Sequence, residues 1–228
     1  MILYDLCCSF GSEIWKQAAH KQKIELRTYT SAMMDTPRKK QEILKDIQRA
    51  SQNGKVVLLF SSHGMDKELE DFFKILPTNI CVLPIGADAI LLNRGSVDAK
   101  HVTRINEYQS YSGEENVFRM MAYIRKYLFE DPTAPIPLEP IKMPFDGIYS
   151  LVNNQVYYDI SSFLEAQDKK FDIYVGMLSH RSSWLNQNLQ VESSLIEALN
   201  QINIGVIPIF SSGEKSEIVQ SYDFEEIV

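Results

Sequence analysis

Residues Phe171–Gly213 read FDIYVGMLSHRSSWLNQNLQVESSLIEALNQINIGVIPIFSSG, and this stretch decides the fold. An apolar run, Ile173–Leu178, is followed by the polar cluster His180–Trp184. A helical pattern comes next, with apolar residues three and four positions apart, until Gly205 ends it and the apolar run Val206–Phe210 begins. The succession predicts a strand, a polar loop, a helix and a second strand, which together form one βαβ unit.

The polar cluster His180–Trp184 is where the sequence predicts a ligand, because open parallel sheets bind ligands at the carboxyl ends of their strands. His180 offers an imidazole and Ser182 a hydroxyl. Arg181 offers a planar guanidinium that can bind a carboxylate, and Trp184 a ring that can stack on a flat molecule. The alternative is that these residues have a structural role only. In that case Arg181 would pair with an acidic side chain and Trp184 would pack between the domains.

The first half of the chain alternates strand and helix patterns. Four apolar runs are separated by helical segments: Ile2–Phe10, Ile24–Tyr29, Val56–Phe60 and Ile80–Ile85. This alternation predicts an α/β protein with a parallel, Rossmann-like sheet flanked by helices, followed by the start of a second α/β domain. Residues 89–112 have weak helical character, whereas Glu114–Glu130 is predicted to be a helix.

The domain boundary is predicted from proline density. Five prolines lie between Asp131 and Pro144, and proline at this density gives an extended segment. We therefore expect a first α/β domain over residues 1–131, a linker over 132–146 and a partial second α/β domain over 147–228. A segment packed on the first domain is the alternative to a linker.

One βαβ unit does not complete a sheet of this kind, and three explanations follow. The chain could be a piece of a longer protein, which we favour, or a natural split protein that needs a partner. Alternatively, the last strands could join the first sheet and give one six-stranded domain.

Composition excludes several classes of protein. The net charge of -7 and the pI near 5.2 argue against a general nucleic-acid or anionic-membrane binder. Cys7, Cys8 and Cys81 lack metal-ligand spacing and are expected to be buried, reduced thiols. No secretory signal or membrane-spanning run is recognisable, so we expect a cytoplasmic location.

Motifs of nucleotide-binding and hydrolytic sites are missing from the sequence. It contains no GxGxxG, GxxxxGK[ST], GxSxG or HExxH pattern, so no cofactor is predicted for this chain. The loops Ser9–Ser12 and Ser61–Gly64 follow predicted strands but carry little specific chemistry. The acidic residues between Asp66 and Asp71 are expected to form a solvated helix face.

Two segments carry a resemblance to a known family. GMLSHRSSWLNQN, starting at Gly176, and LIEALNQINIGVIPIFSSG, starting at Leu195, resemble the region around a His/Tyr-Arg-Ser segment in the cobaltochelatase large subunit and the magnesium chelatase H subunit. In addition, Tyr111–Asn116 resembles the Gly-Glu/Pro-Glu-Asn segment that opens a helix in those subunits.

The resemblance implies a role in ATP-dependent insertion of cobalt or magnesium into a corrin or porphyrin ring, a ligase reaction that belongs to cobalamin biosynthesis when the metal is cobalt. In that family the large subunit binds the tetrapyrrole, and AAA+ partner subunits hydrolyse ATP. This chain would correspond only to the amino-terminal portion. It would contribute substrate binding or interdomain architecture without being catalytic alone, and ATP and the metal would belong to the full complex.

The resemblance also gives a set of substrate-binding candidates from both segments: His180, Arg181, Ser182, Trp184, Glu115 and Asn116. We predict no metal site, since one histidine without partner ligands is insufficient. Two other functions stay open: a non-catalytic α/β scaffold that docks partner subunits, and a small-molecule binding module that closes around a ligand at His180–Trp184.

Overall fold

Two separate four-stranded sheets form in the residues that the structure, a computed structural model, describes: 1–6, 12–61, 72–86, 96–185 and 188–212. The chain divides into unit 1, Met1–Ile141, and unit 2, Lys142–Val228. The division lies inside the predicted linker, 132–146. The alternative of one six-stranded sheet is wrong, because the last strands pair with one another and with a hairpin of their own unit.

The sheet of unit 1 is parallel throughout. Its strands are β1 (Ile2–Leu6), β2 (Glu25–Tyr29), β3 (Val56–Ser61) and β4 (Cys81–Ile85), in the order β2-β1-β3-β4. Every neighbouring pair is parallel. The predicted α/β fold class with a parallel sheet is thus confirmed.

Helices cover both faces of this sheet. They are α1 (Ser12–Lys21), α2 (Ser31–Met34), α3 (Pro37–Asn53), α4 (Ala99–Tyr111) and α5 (Glu114–Tyr123), the last continuing as a π-helical turn over Ile124–Leu128. One apolar cluster joins Leu3 and Leu59 to helices α1, α4 and α5, and a second joins Leu58 and Phe60 to α3. Since successive strand residues point to opposite faces, the continuous apolar runs are explained by burial on both sides.

Helix α4 is more regular than the sequence suggested. The Asp98 side chain caps it by accepting a hydrogen bond from the Lys100 N–H at 3.0 Å. Val102, Ile105 and Tyr108 are buried at three-residue spacing. Because this apolar stripe is narrow and the residues around it are polar, the helical pattern in the sequence is weak.

The proline-rich segment up to Ile141 is held on unit 1 by side-chain donors. The Tyr108 hydroxyl donates to the Leu138 carbonyl at 2.6 Å, and Arg119 Nη1 donates to the Glu139 carbonyl at 2.6 Å. Lys126 Nζ donates to the Ala134 carbonyl at 3.0 Å. An extended proline-rich chain keeps its carbonyl groups available, and these side chains pair them.

The sheet of unit 2 is mixed. Its strands are β5 (Asp146–Tyr149), β6 (Val156–Tyr157), β7 (Ile173–His180) and β8 (Ile204–Ser211), in the order β6-β5-β8-β7. Strands β7 and β8 pair in parallel, which confirms the predicted βαβ unit. The other two pairs are antiparallel.

The described part of unit 2 contains three helices: α6 (Ile160–Glu165), α7 (Arg181–Leu185) and α8 (Gln190–Gln201). Helix α7 corrects the sequence analysis, because the predicted polar loop begins with a five-residue helix. Ile148, Ile207 and Ile209 form an apolar cluster with Phe163 of α6.

Several sequence predictions lie outside the described residues. They are Cys7 and Cys8, the loops after β1 and β3 for the most part, the acidic residues between Asp66 and Asp71, and Glu214–Val228, where the sequence pattern predicts another helix with a break near Tyr222. Among the residues that are described, no helix is both long and apolar enough to cross a lipid bilayer.

Candidate functional site

The predicted ligand-binding cluster lies where β7 ends and α7 begins. Strand β7 ends at His180, which is opposite Ser211 at the end of β8, so the carboxyl ends of the two parallel strands meet there. Helix α7 starts at the next residue, Arg181. The fold therefore places His180, Arg181, Ser182 and Trp184 at the edge of the sheet where open α/β sheets bind ligands.

The imidazole of His180 is exposed and held by Ser182. The Ser182 backbone N–H donates to His180 Nδ1 at 3.2 Å, and Ser182 Oγ lies 2.7 Å from the same nitrogen. Because a backbone N–H can only donate, Nδ1 acts as an acceptor, and we assign the proton of the neutral ring to Nε2. His180 thus offers an N–H donor, which suits a ligand carboxylate.

The guanidinium of Arg181 is engaged by the protein itself. Only 6% of the residue is exposed. Its Nε donates to the Pro144 carbonyl at 2.6 Å, its Nη2 donates to the Met143 carbonyl at 3.2 Å, and the group lies over the Phe145 ring. Burial lowers the pKa of Arg181. The side chain fixes the segment that leads into β5.

Trp184 is partly buried and stacks on Phe210 of β8. The ring centroids are 4.2 Å apart and the planes are inclined by 11°. One face of the indole is thus covered by a protein side chain. The ring anchors α7 on the sheet, and its stacking on a macrocycle through that face would require Phe210 to move.

The second set of candidates, Glu115 and Asn116, belongs to unit 1 at the start of α5. Gly113 precedes the helix with φ 82°, a conformation that favours glycine. Glu115 is exposed and forms an ion pair with Arg119 at 2.9 Å. Asn116 is buried. Its side-chain amide donates a hydrogen bond to the Ile141 carbonyl and accepts one from the Ile141 N–H. Glu115 therefore faces solvent, whereas Asn116 holds the proline-rich segment.

Tyr149 is a buried polar residue at the end of β5 that the sequence analysis missed. Its ring centroid is 6.2 Å from that of Phe210. Burial raises the pKa of Tyr149, with Ser179 opposing the effect and the charge of Glu192 adding to it. The sequence signal for this residue is weak, because Gly147–Tyr149 fits a short strand or a turn equally well.

A small cavity of about 80 Å³ lies in unit 2 beside the amino-terminal halves of β7 and β8. Its lining is largely apolar and includes the aromatic side chains of Tyr149, Phe163, Phe171 and Tyr174. None of the predicted site residues lines it. The cavity is large enough for several water molecules.

A larger polar groove of about 460 Å³ lies in unit 1 beside the starts of β3 and β4. Its cations are paired, Lys55 with Glu130 and Lys100 with Asp98. Burial raises the pKa of the Cys81 thiol in this groove to about 12, which disfavours the reactive thiolate. Among the described residues, no group of three or more His, Cys, Asp or Glu side chains could hold a metal ion.

The fold and the sequence together define the class of protein. The family model of CobN/Magnesium Chelatase matches residues 106–227, which is more than half of the chain and includes both sets of candidate residues. The chain belongs to this family. The resemblance read from the two sequence segments is confirmed.

The solved structures with a similar fold include a cobaltochelatase subunit. The catalytic subunit of cobaltochelatase from Mycobacterium tuberculosis matches with a TM-score of 0.50 and 12% sequence identity, over 96% of this chain and 17% of that chain. This chain thus spans about a sixth of the length of that subunit. No curated protein sequence gives a significant match.

Proposed function

We propose that this chain acts as the amino-terminal portion of a tetrapyrrole metal-chelatase large subunit. In that role it takes part in the ATP-dependent insertion of cobalt or magnesium into a corrin or porphyrin ring. The observation that carries the proposal is the family match over residues 106–227, which spans the carboxyl ends of β7 and β8. The metal ion is a substrate, and ATP is used by AAA+ partner subunits of the complex. With cobalt, the reaction would belong to cytoplasmic cobalamin biosynthesis.

Within this role we assign substrate contact to His180 and Ser182. Tetrapyrroles carry carboxylate arms, and the exposed His180 ring presents an Nε2–H donor while Ser182 fixes the ring through Nδ1. A hydrogen bond to a carboxylate is charge-assisted and stronger than a neutral one. His180 would therefore orient the macrocycle by one of its arms.

Arg181 and Trp184 support the same site from inside the protein. The guanidinium of Arg181 is committed to the carbonyls of Met143 and Pro144, and the indole of Trp184 to Phe210. Both side chains hold α7, and with it His180, in place. In unit 1, Glu115 is the exposed candidate for a further substrate contact, and Asn116 positions its surroundings.

A titration tests the proposal. The chain is mixed with a metal-free porphyrin that carries free propionate arms, and binding is followed by tryptophan fluorescence and by porphyrin absorbance. We expect saturable binding that His180→Ala weakens about tenfold, or about 1.4 kcal/mol. The exposed His20, far from the sequence segments of the family, provides the matched control variant His20→Ala.

The porphyrin dimethyl ester completes the design, since it keeps the ring and removes the carboxylates. Weaker binding of the ester to the parent chain, with no further loss in His180→Ala, would assign the imidazole to a carboxylate arm. Absence of saturable binding at micromolar porphyrin would overturn the substrate-binding role. Equal effects of His180→Ala and His20→Ala would overturn the assignment of His180.

A further inference from the structure

Strand β7 has the composition of an interior strand but lies at an edge. Among the described residues it pairs only with β8. Its sequence, IYVGMLSH, contains no proline, lysine or carboxylate, the residues that natural edge strands use against unwanted pairing. Ile173 and Leu178 are 60% and 58% exposed. Apolar residues on both faces are typical of a parallel strand with neighbours on each side.

Helix α8 has a matching exposed apolar stripe. Val191 and Leu195 of α8, and Ile202, the residue that follows the helix, are all exposed, and their spacing of four and seven residues puts them on one side. No residue of α8 is fully buried. A helix packed against this stripe would complete the burial that α8 lacks.

We propose that the outer edge of β7 and the Val191–Leu195–Ile202 stripe together bind a further strand–helix unit of a chelatase large-subunit polypeptide. One strand pairing in parallel with β7 and one helix packing on α8 would fill both surfaces at once, as in other layered α/β sheets. The solved cobaltochelatase subunit gives a reason for this occupant. This chain covers 17% of it, so most of a large subunit of that size lies outside the matched part.

Charge defines the chemistry of the partner and disfavours a second copy of this chain. The charged residues of α8 are Glu192 and Glu197, and the helix has no lysine or arginine. Two copies joined through this stripe would bring their Glu192 carboxylates to the rim of the contact, whereas a helix with basic residues at the rim of its own apolar stripe is complementary to Glu192. The partner helix is therefore expected to carry lysine or arginine at its rim.

A crosslinking experiment in the cell that makes the protein tests the interface. A photoreactive benzoylphenylalanine replaces Leu178 or Leu195, and crosslinked peptides are identified by mass spectrometry. Both positions should crosslink to a polypeptide of the CobN/magnesium chelatase family outside residues 1–228, on the same or another chain. The same probe at Val152, an 83% exposed apolar position, should give no such product.

A lysine variant provides the second arm. Leu178→Lys should lower the yield of the Leu195 crosslink at least tenfold, and Val152→Lys should leave it unchanged. Crosslinks confined to residues 1–228, crosslinks to a protein outside the family, or no crosslink at either position would each overturn the proposal. The outcome does not depend on tetrapyrrole binding, so a failed porphyrin titration and a failed interface are separate results.

Discussion

Asn116 is 2% exposed, and its side-chain amide bonds three backbone groups. Nδ2 donates to the carbonyls of Ser112 and Ile141 at 2.8 Å, and Oδ1 accepts from the Ile141 N–H at 2.8 Å. We predict that Asn116→Ala lowers the free energy of unfolding by about 3 kcal/mol, because these buried groups lose their partner. Urea denaturation measures the change.

Glu115 provides the control for Asn116, since it is the adjacent residue and lies on the surface. Glu115→Gln removes only the exposed ion pair with Arg119, so the stability should change by less than about 0.5 kcal/mol. Similar losses in the two variants would contradict a structural role that is specific to Asn116.

Asp46 accepts hydrogen bonds from Tyr4 and Arg27, at 2.7 Å and 2.6 Å. Burial alone would raise the pKa of Asp46, but these two donors outweigh burial and hold it below the ordinary value of 3.8. A carboxylate with a lowered pKa stabilises the folded state above its ordinary pKa, and this contribution is lost as the pH falls through the lowered value. Asp46→Asn should therefore reduce the loss of stability below pH 3.8.

The comparison requires free energies of unfolding at pH 7 and at pH 3 for the parent chain and for Asp46→Asn. The exposed Asp35 gives the control Asp35→Asn, which should lose as much stability on acidification as the parent. An unchanged acid dependence in Asp46→Asn would show that this group does not contribute.

At the scale of single residues, the sequence indicated where chemistry could lie but not which side chains the fold would use itself. His180 is exposed, as a ligand-binding residue should be. The side chains of Arg181 and Asn116 instead donate hydrogen bonds to backbone carbonyls. The carbonyls of Ile141 and Pro144 lie 25 and 37 positions away in sequence from the side chains that bind them. Local spacing holds no information about such partners, so the two uses of a polar side chain could not be separated.

At the scale of elements, the close contact between β7 and β8 depends on Gly205. A Cβ atom at this position would lie 2.4 Å from the ring of Tyr174 and 2.8 Å from that of Phe171. We predict that Gly205→Ala destabilises the chain by about 1–3 kcal/mol, as overpacking does in other proteins. Thermal or urea unfolding would measure it.

Gly54 is the matched control, because it follows α3 with extended backbone and has no atom within 4 Å of the added methyl group. Gly54→Ala should be neutral or stabilising by up to about 1 kcal/mol. Combining Gly205→Ala with Tyr174→Leu should recover part of the loss if the ring is the obstacle. Equal losses at the two glycines would rule out the steric explanation.

Elements with long apolar runs or wide apolar stripes could be predicted, and short or narrow ones could not. The runs that became β3 and β8 have five apolar residues each, and burial on both faces makes such runs unmistakable. The two-residue strand β6 and the five-residue helix α7 are set by tertiary pairing, which a local pattern does not contain.

At the scale of the whole molecule, a βαβ pattern was not enough to predict the second sheet. The hairpin strands β5 and β6 complete it by antiparallel pairing, with β5 placed against β8. The sequence pattern predicted only the parallel pair β7 and β8, and the sheet was therefore expected to be incomplete. The structure adds β5 and β6, which come from the segment directly after the prolines.

The charge of the whole chain and the exposed edge of β7 together determine how it behaves near its pI of about 5.2. At neutral pH the net charge of -7 keeps molecules apart, and this repulsion vanishes as the pH approaches the pI. We predict that light scattering of a concentrated solution is greatest near pH 5 and that Leu178→Lys suppresses it, because a lysine on an edge strand blocks pairing between sheets.

Val152→Lys makes the same change in charge on an exposed loop of unit 2, so it separates the effect of the edge from the effect of net charge. Equal suppression by the two variants would assign the aggregation to charge alone, and stronger suppression by Leu178→Lys would assign it to β7.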